Sequence, residues 1–180
     1  MKATGIVRHI DELGRLVIPK EIRKNLRIRE GDPIEIYTDS EGKIVLKKYS
    51  PMGEMVTFAK QFSEVLSKNT GHKVVVSDRD SIIAVSGGMS KDYIGKKISK
   101  ALENIIQERE VVNTSKKGRP IPILEGETEF TGQQIIYPIM GDGEVIGSVV
   151  MMQKEGAGNL GDAEQKLVVV IAGFLGKQME

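Results

Sequence analysis

The chain has 180 residues, with 26 basic and 25 acidic side chains, no cysteine and no tryptophan. At 39% hydrophobic and 28% charged it reads as an ordinary folded protein of one or two domains. The lack of cysteine excludes disulfides, thiolate metal sites and cysteine nucleophiles. With no secretory signal and no apolar run near the roughly 20 residues that span a bilayer, a cytoplasmic location and no membrane contact are expected.

The net charge of +1 conceals an uneven distribution. Residues 1–29 hold eight basic and three acidic side chains, a local net of +5, whereas residues 51–180 hold 15 and 17, a net of −2. A basic N-terminal cluster of this size reads either as the electrostatic footprint of a polyanion-binding surface or as a solvated face.

In chain order, Ile6, Val7 and Ile10 form one β-branched run and Leu16-Val17-Ile18 another, separated by the turn-like Asp11-Glu12-Leu13-Gly14. Pro19 stops the second strand and opens a short helix over 20–27, with Ile22 and Leu26 on one face and Arg23, Lys24 and Arg27 on the others. Gly31-Asp32 ends it. Residues 33–38 alternate, Asp39-Ser40-Glu41-Gly42 is a hairpin turn, and Ile44 and Leu46 mark the returning strand. Some 50 residues of this kind bury too little apolar surface to be stable alone, and an obligate dimer is expected.

A helix is predicted over 53–69 on Met55, Phe58, Ala59, Phe62, Val65, Leu66 and Asn69, with Gly71 as its stop. A hairpin follows, from Val74-Val75-Val76 to Ile82–Val85. Residues 91–109 are predicted helical, with Gly95 dividing a short first turn from the main helix. A polar loop over 113–120 precedes strands near 121–124 and 133–140. Gly141-Asp142-Gly143 then turns the chain into a strand at 144–152. The last helix, 162–179, carries Ala163, Leu167, Val170, Ile171, Phe174 and Leu175 on a stripe that Val168, Val169 and Ala172 widen, so it is expected to be covered on two sides. The fold class is α+β, with no internal repeat. No metal-ligand spacing, phosphate loop or Ser/His/Asp set is present, so neither an enzyme, nor a cofactor, nor a metal is expected.

The ordered set Thr4-Gly5-Ile6-Val7-Arg8, Asp11-Glu12-Leu13-Gly14-Arg15, Val17-Ile18-Pro19, Glu21-Ile22-Arg23-Lys24, Gly31-Asp32, Ile34-Glu35-Ile36 and Leu46-Lys47-Lys48-Tyr49 resembles the AbrB-type DNA-binding domain. The remainder resembles a GAF-like sensory domain through Asp78-Arg79-Asp80, Ala84-Val85-Ser86-Gly87, Lys91-Asp92-Tyr93, Gly143–Gly147 and Ala172-Gly173-Phe174-Leu175. Together the two halves resemble the stage V sporulation transcription factor family.

The resemblance implies a swapped-hairpin β-barrel dimer through residues 1–52 and a GAF-like domain over 53–180, flanked by helices. It implies double-stranded DNA as partner, a sporulation regulator acting as activator or repressor, and a cytoplasmic, nucleoid-associated, forespore location. The DNA contacts it implies fall on Arg8, Arg15, Arg23 and Lys24. Lysine at position 24 keeps the charge but lacks the planar fork that reads guanine bidentately. Lys2, His9, Lys20, Arg27 and Arg29 are weaker candidates. In the second domain Ser86, Tyr93, Arg109 and Tyr137 are offered as lining a small-molecule pocket, while His72 reads as exposed. The helices 53–69 and 162–179 are expected to join domains of different chains into a homotetramer. The alternatives are an antitoxin-type DNA-binding protein and a GAF-like domain with a purely structural role.

Overall fold

Pro19 caps the first helix, α1 (Lys20–Asn25), in a computed structural model that describes residues 5–49, 56–127 and 130–179. Leu26 follows as the C-cap, and Arg27 lies beyond it in the left-handed region at φ 53°. The Ile28 N–H donates to Arg23 O at 2.8 Å and the Arg27 N–H to Lys24 O at 3.3 Å, a Schellman closure in which arginine occupies the position usually given to glycine.

Strands β1 (Ile34–Thr38) and β2 (Ile44–Lys48) pair antiparallel with Ile36 opposite Leu46. Ile34, Ile36, Ile44 and Leu46 therefore share one face, and Glu35, Tyr37 and Lys47 the other. The Lys48 ammonium donates to Arg27 O at 2.9 Å and pairs with the buried Asp32 carboxylate at 3.0 Å, tying β2 to the end of α1.

The expected strands at 6–10 and 16–18 are corrected: neither is regular strand. The two arms meet at the turn, where the Asp11 N–H donates to Arg15 O at 3.1 Å. A strand exists only with a hydrogen-bonding neighbour along its length. Among the described residues the N-terminal unit has no closed barrel, and none of its hydrophobic side chains is in the buried core.

The chain divides into two compact units, Met1–Tyr49 and Ser50–Glu180. The second opens with α2 (Val56–Thr70); the expected start at 53–55, with Met55, lies outside the described residues. Gly71, at φ +75°, ends α2. A five-stranded antiparallel sheet follows, built from β3 (Lys73–Asp78), β4 (Ile82–Ser86), β5 (Val112–Asn113), β6 (Gln134–Gly141) and β7 (Glu144–Met152), in the order β4-β3-β7-β6-β5. Asp78 shapes the β3–β4 turn: its Oδ1 accepts the Asp80 N–H at 2.8 Å and the Ser81 N–H at 2.6 Å. Asp142 and Gly143, at φ 48° and 76°, form the two-residue β6–β7 hairpin.

Residue alternation sorts the core onto two faces. Val74, Val76, Ile135, Ile139, Val149 and Met151 pack under α2 and α4 (Asp162–Lys177). Val75, Ile136, Val150 and Met152 pack under α3 (Lys100–Glu108) with Ile98, Ile123 and Leu124.

Two predicted elements differ. The stretch expected to be helical over 91–109 divides at Gly95, φ +81°, as expected, into a 3-10 turn at Lys91–Tyr93 and α3, but α3 begins only at Lys100, because Ile98 bridges to Leu124. Ser99 restarts the helix, its hydroxyl accepting the Leu102 N–H at 3.1 Å. The strand expected near 121–124 contributes only that bridge, and β5 forms instead where the polar loop begins.

Candidate nucleic-acid interface

The apolar residues of the first unit gather around one groove. Ile6 and Val7 of the first arm, Leu16, Val17 and Ile18 of the second, Pro19, Ile22 of α1 and Leu46 of β2 line a cavity of about 440 Å³, with Arg8 at its wall. Val7 and Val17 are 80% and 71% exposed, an extent that isolated surface side chains do not explain when they lie side by side.

The four cations singled out in the sequence stand on the elements around this groove. Arg8 belongs to the first arm, Arg15 leaves the hairpin turn, and Arg23 and Lys24 form the last turn of α1, next to Ile22. All four are exposed. Among the described residues Arg8, Arg23 and Lys24 form no ion pair, and Arg15 pairs with Asp11, Nε to Oδ2, at 2.8 Å. The Asp11 carboxyl is held below the usual carboxylate range by the Arg15 backbone N–H and then by the Arg15 side chain. Arg23 and Lys24 also sit favourably at the negative end of the helix dipole. Among the described residues the nearby acidic side chains Glu12 and Glu21 pair with none of the four. Of the weaker candidates, Lys2 lies outside the described residues, while Arg27 forms the α1 closure through its backbone.

The second unit disposes its four candidates differently. The Ser86 hydroxyl lies 2.9 Å from that of Ser63 on α2, and Tyr137 packs with the cluster under α2 and α4. Tyr93 belongs to the opposite cluster, under α3, where burial and then Glu127 raise its phenol above the usual value. Arg109 ends α3 at φ 55°, and its guanidinium donates to Gly143 O at 3.0 Å. The four are split between two faces of the sheet, because alternation along β6 sends Tyr137 away from the α3 side. His72 is also corrected: it is 2% exposed, with Nδ1 buried and without a hydrogen-bond partner.

Sequence reasoning missed Gln134. Fully buried on β6, its side-chain amide accepts the Ile121 N–H and donates to Ile121 O, both at 3.0 Å. A glutamine at a strand start gives no sequence signal of such a clasp.

Residues 54–180 match the family model described as the stage V sporulation protein T C-terminal, transcription factor. Over its full length the chain is 48% identical to stage V sporulation protein T of Bacillus subtilis (strain 168), covering 99% of that protein. The chain belongs to this family of sporulation transcription factors. Family membership places the protein among regulators and not among enzymes.

Residues 7–54 match the model described as antidote-toxin recognition MazE, bacterial antitoxin. In the same region, 51 residues, 28% of this chain, are 65% identical to the transition state regulatory protein AbrB of Bacillus subtilis (strain 168), spanning 52% of it. The α+β fold of the sporulation family's second unit is GAF-like. The GAF domain of an Acinetobacter phosphoenolpyruvate-protein phosphotransferase superposes with a TM-score of 0.55 at 17% identity, over 74% of this chain and 84% of that one.

Proposed function

We propose that this sporulation transcription factor binds double-stranded DNA through residues 1–52 as a homodimer, with Arg8, Arg15, Arg23 and Lys24 of both protomers on the duplex. The observation that carries the reading is the set of exposed cations, three of them without ion-pair partners, around an apolar groove in a unit that has no buried core of its own. A second copy laying its own apolar arms into that groove would supply the missing core and double the basic surface. Swapped hairpins meet both needs at once.

Phosphate neutralisation with counterion release then supplies affinity. Arg23→Ala in the full-length dimer removes two phosphate contacts and flattens the slope of log affinity against log salt by about 1.8. Mobility shift of one duplex across a salt series reads this; an unchanged slope and affinity would falsify the assignment.

The GAF-like unit, residues 53–180, joins dimers into a tetramer through the outer faces of α2 and α4. Val56, Phe58, Val65, Leu167, Val170 and Phe174 leave apolar surface there beyond what the sheet covers. Control by a small molecule gains no support from Ser86, Tyr93, Arg109 and Tyr137, which do not converge. The resemblance to the sporulation family supports a forespore, nucleoid-associated location. An antitoxin role, open for residues 7–54 alone, fits poorly with a folded five-stranded C-terminal unit.

A further inference from the structure

The two hairpin turns of the N-terminal unit are structural copies that differ in one chemical respect. Each opens on aspartate, places glycine fourth and is followed by a cation: Asp11-Glu12-Leu13-Gly14-Arg15 and Asp39-Ser40-Glu41-Gly42-Lys43. The Asp11 N–H donates to Arg15 O at 3.1 Å, and the Asp39 N–H to Lys43 O at 3.1 Å. Gly14 and Gly42, at φ +74° and +77°, donate to the carbonyls of Asp11 and Asp39 at 2.9 and 3.2 Å. Asp11 Oδ1 accepts the N–H groups of Leu13 and Arg15 at 3.0 and 2.8 Å; Asp39 Oδ1 accepts those of Glu41 and Lys43 at 3.0 and 2.8 Å.

The difference lies in the second carboxylate oxygen. Asp11 Oδ2 accepts Arg15 Nε at 2.8 Å, while the Arg15 side chain stays 70% exposed. A guanidinium has five N–H donors in a rigid fork, so holding Nε fixes its plane and leaves the four terminal donors outward. Lysine offers no such division. The Lys43 ammonium lies 3.5 Å from Asp39 Oδ2 and also pairs with Glu41, so its charge is taken up within its own turn.

Resting on the DNA-binding reading above, we infer that Asp11 is a positioning residue for sequence recognition. It clamps Arg15 so that a pre-aimed guanidinium meets the duplex, whereas the copy at Asp39 and Lys43 takes no part. Pre-aiming matters because bidentate contact to guanine or phosphate demands a defined plane, and a side chain already held there loses less freedom on binding.

The sign of the effect makes the inference testable. Asp11 is an acidic residue beside a polyanion, so charge alone predicts that removing it tightens DNA binding. Positioning predicts the opposite for specific binding. Asp11→Asn separates the two, because asparagine Oδ1 still accepts the two backbone N–H groups while Nδ2, a donor, faces the Arg15 Nε donor.

Full-length protein is titrated onto a duplex selected from random sequence by the wild type, and onto a shuffled duplex of the same composition. Asp11→Asn is expected to lose about tenfold affinity on the selected duplex, in line with one bidentate contact, and to bind the shuffled duplex as well as or better than wild type. Arg15→Lys, which keeps the charge without Nε, should behave alike, and Asp39→Asn should change nothing. In an Arg15→Ala background the Asp11→Asn loss should vanish.

Asp11→Asn binding the selected duplex as tightly as wild type, or losing equally with Arg15 absent, overturns the inference. So does a thermal destabilisation of Asp11→Asn and Asp39→Asn alike, which would make both aspartates plain turn residues. A wild type that binds neither duplex overturns the DNA-binding reading instead.

Discussion

The rings of Phe62 on α2 and Phe174 on α4 meet with centroids 4.7 Å apart and planes inclined at 53°. The two helices on one face of the sheet are thus joined to each other as well as to the strands. Inward, Ala59, Leu66, Val168, Ala172 and Leu175 reach the core; outward, Val65 and Val170 remain 56% and 66% exposed. If these outer faces join two dimers, Val65→Glu and Val170→Glu should halve the mass seen by light scattering while leaving the far-ultraviolet spectrum unchanged. An unchanged mass for both variants would count against the tetramer.

Gly147 and Gly176 stand where backbones approach too closely for any side chain. A Cβ on Gly176 of α4 would fall on the Met140 carbonyl oxygen, and one on Gly147 of β7 on the Ser77 carbonyl oxygen. Neither position requires an unusual φ, so the constraint is space alone. Gly176→Ala and Gly147→Ala should each lower stability by about 1–3 kcal/mol in denaturant titration, the range for overpacking. Gly173→Ala, on the same helix with nothing within 4 Å, should be neutral or slightly stabilising.

His72 gives the fold a dependence on acidity. Burial holds its imidazole below the ordinary value of 6.5, with Glu164 acting in the opposite direction. The unfolded chain therefore takes up the proton first. Stability from the neutral ring is complete above pH 6.5 and is lost as pH falls through the lower folded value. The melting temperature should decline between pH 7.5 and 5, and His72→Gln should flatten that part of the curve. Calorimetry showing parallel curves for the two proteins would remove His72 as the cause.

Gln134 and Ile121 form a clasp between a buried strand and the segment that packs with it under α3. Gln134→Ala leaves the Ile121 N–H and C=O without their partner and should cost about 1–3 kcal/mol. Hydrogen exchange at Ile121 should rise in the variant more than at Val150 in the sheet centre; equal exchange at both would indicate that the loss is global.

Much of the second unit was legible from local pattern. Gly71 and Gly143 lie at positive φ where turn chemistry placed them, whereas on the last helix Val168, Ala172 and Leu175 are buried and Leu167, Val170 and Phe174 of the expected stripe stay exposed. Failures came where local preference gave way. Gly95, at φ +81°, divides a short first turn from the main helix as its position predicts, but residues 96–99 do not resume the helix; Ile94 is exposed and Ile98 is buried against Leu124. The placement of the candidate pocket residues was not legible for a related reason. Spacing places Ser86, Tyr93, Arg109 and Tyr137 on elements, but the face each one meets depends on strand order, which spacing does not encode.

For the N-terminal unit, composition already carried the main conclusion. Arg8, Arg15, Arg23 and Lys24 are basic whatever the fold, and too few apolar residues are present to close a core within one copy, because charge and apolar surface are sums over side chains. Geometry decided what those sums leave open. That Arg15 is held by Asp11 while Lys43 is neutralised by Asp39 and Glu41 depends on which oxygen of a shared turn meets which donor, within a few tenths of an ångström. Hydrogen bonds are short and directional, so two turns alike in sequence and backbone can present opposite faces to a ligand.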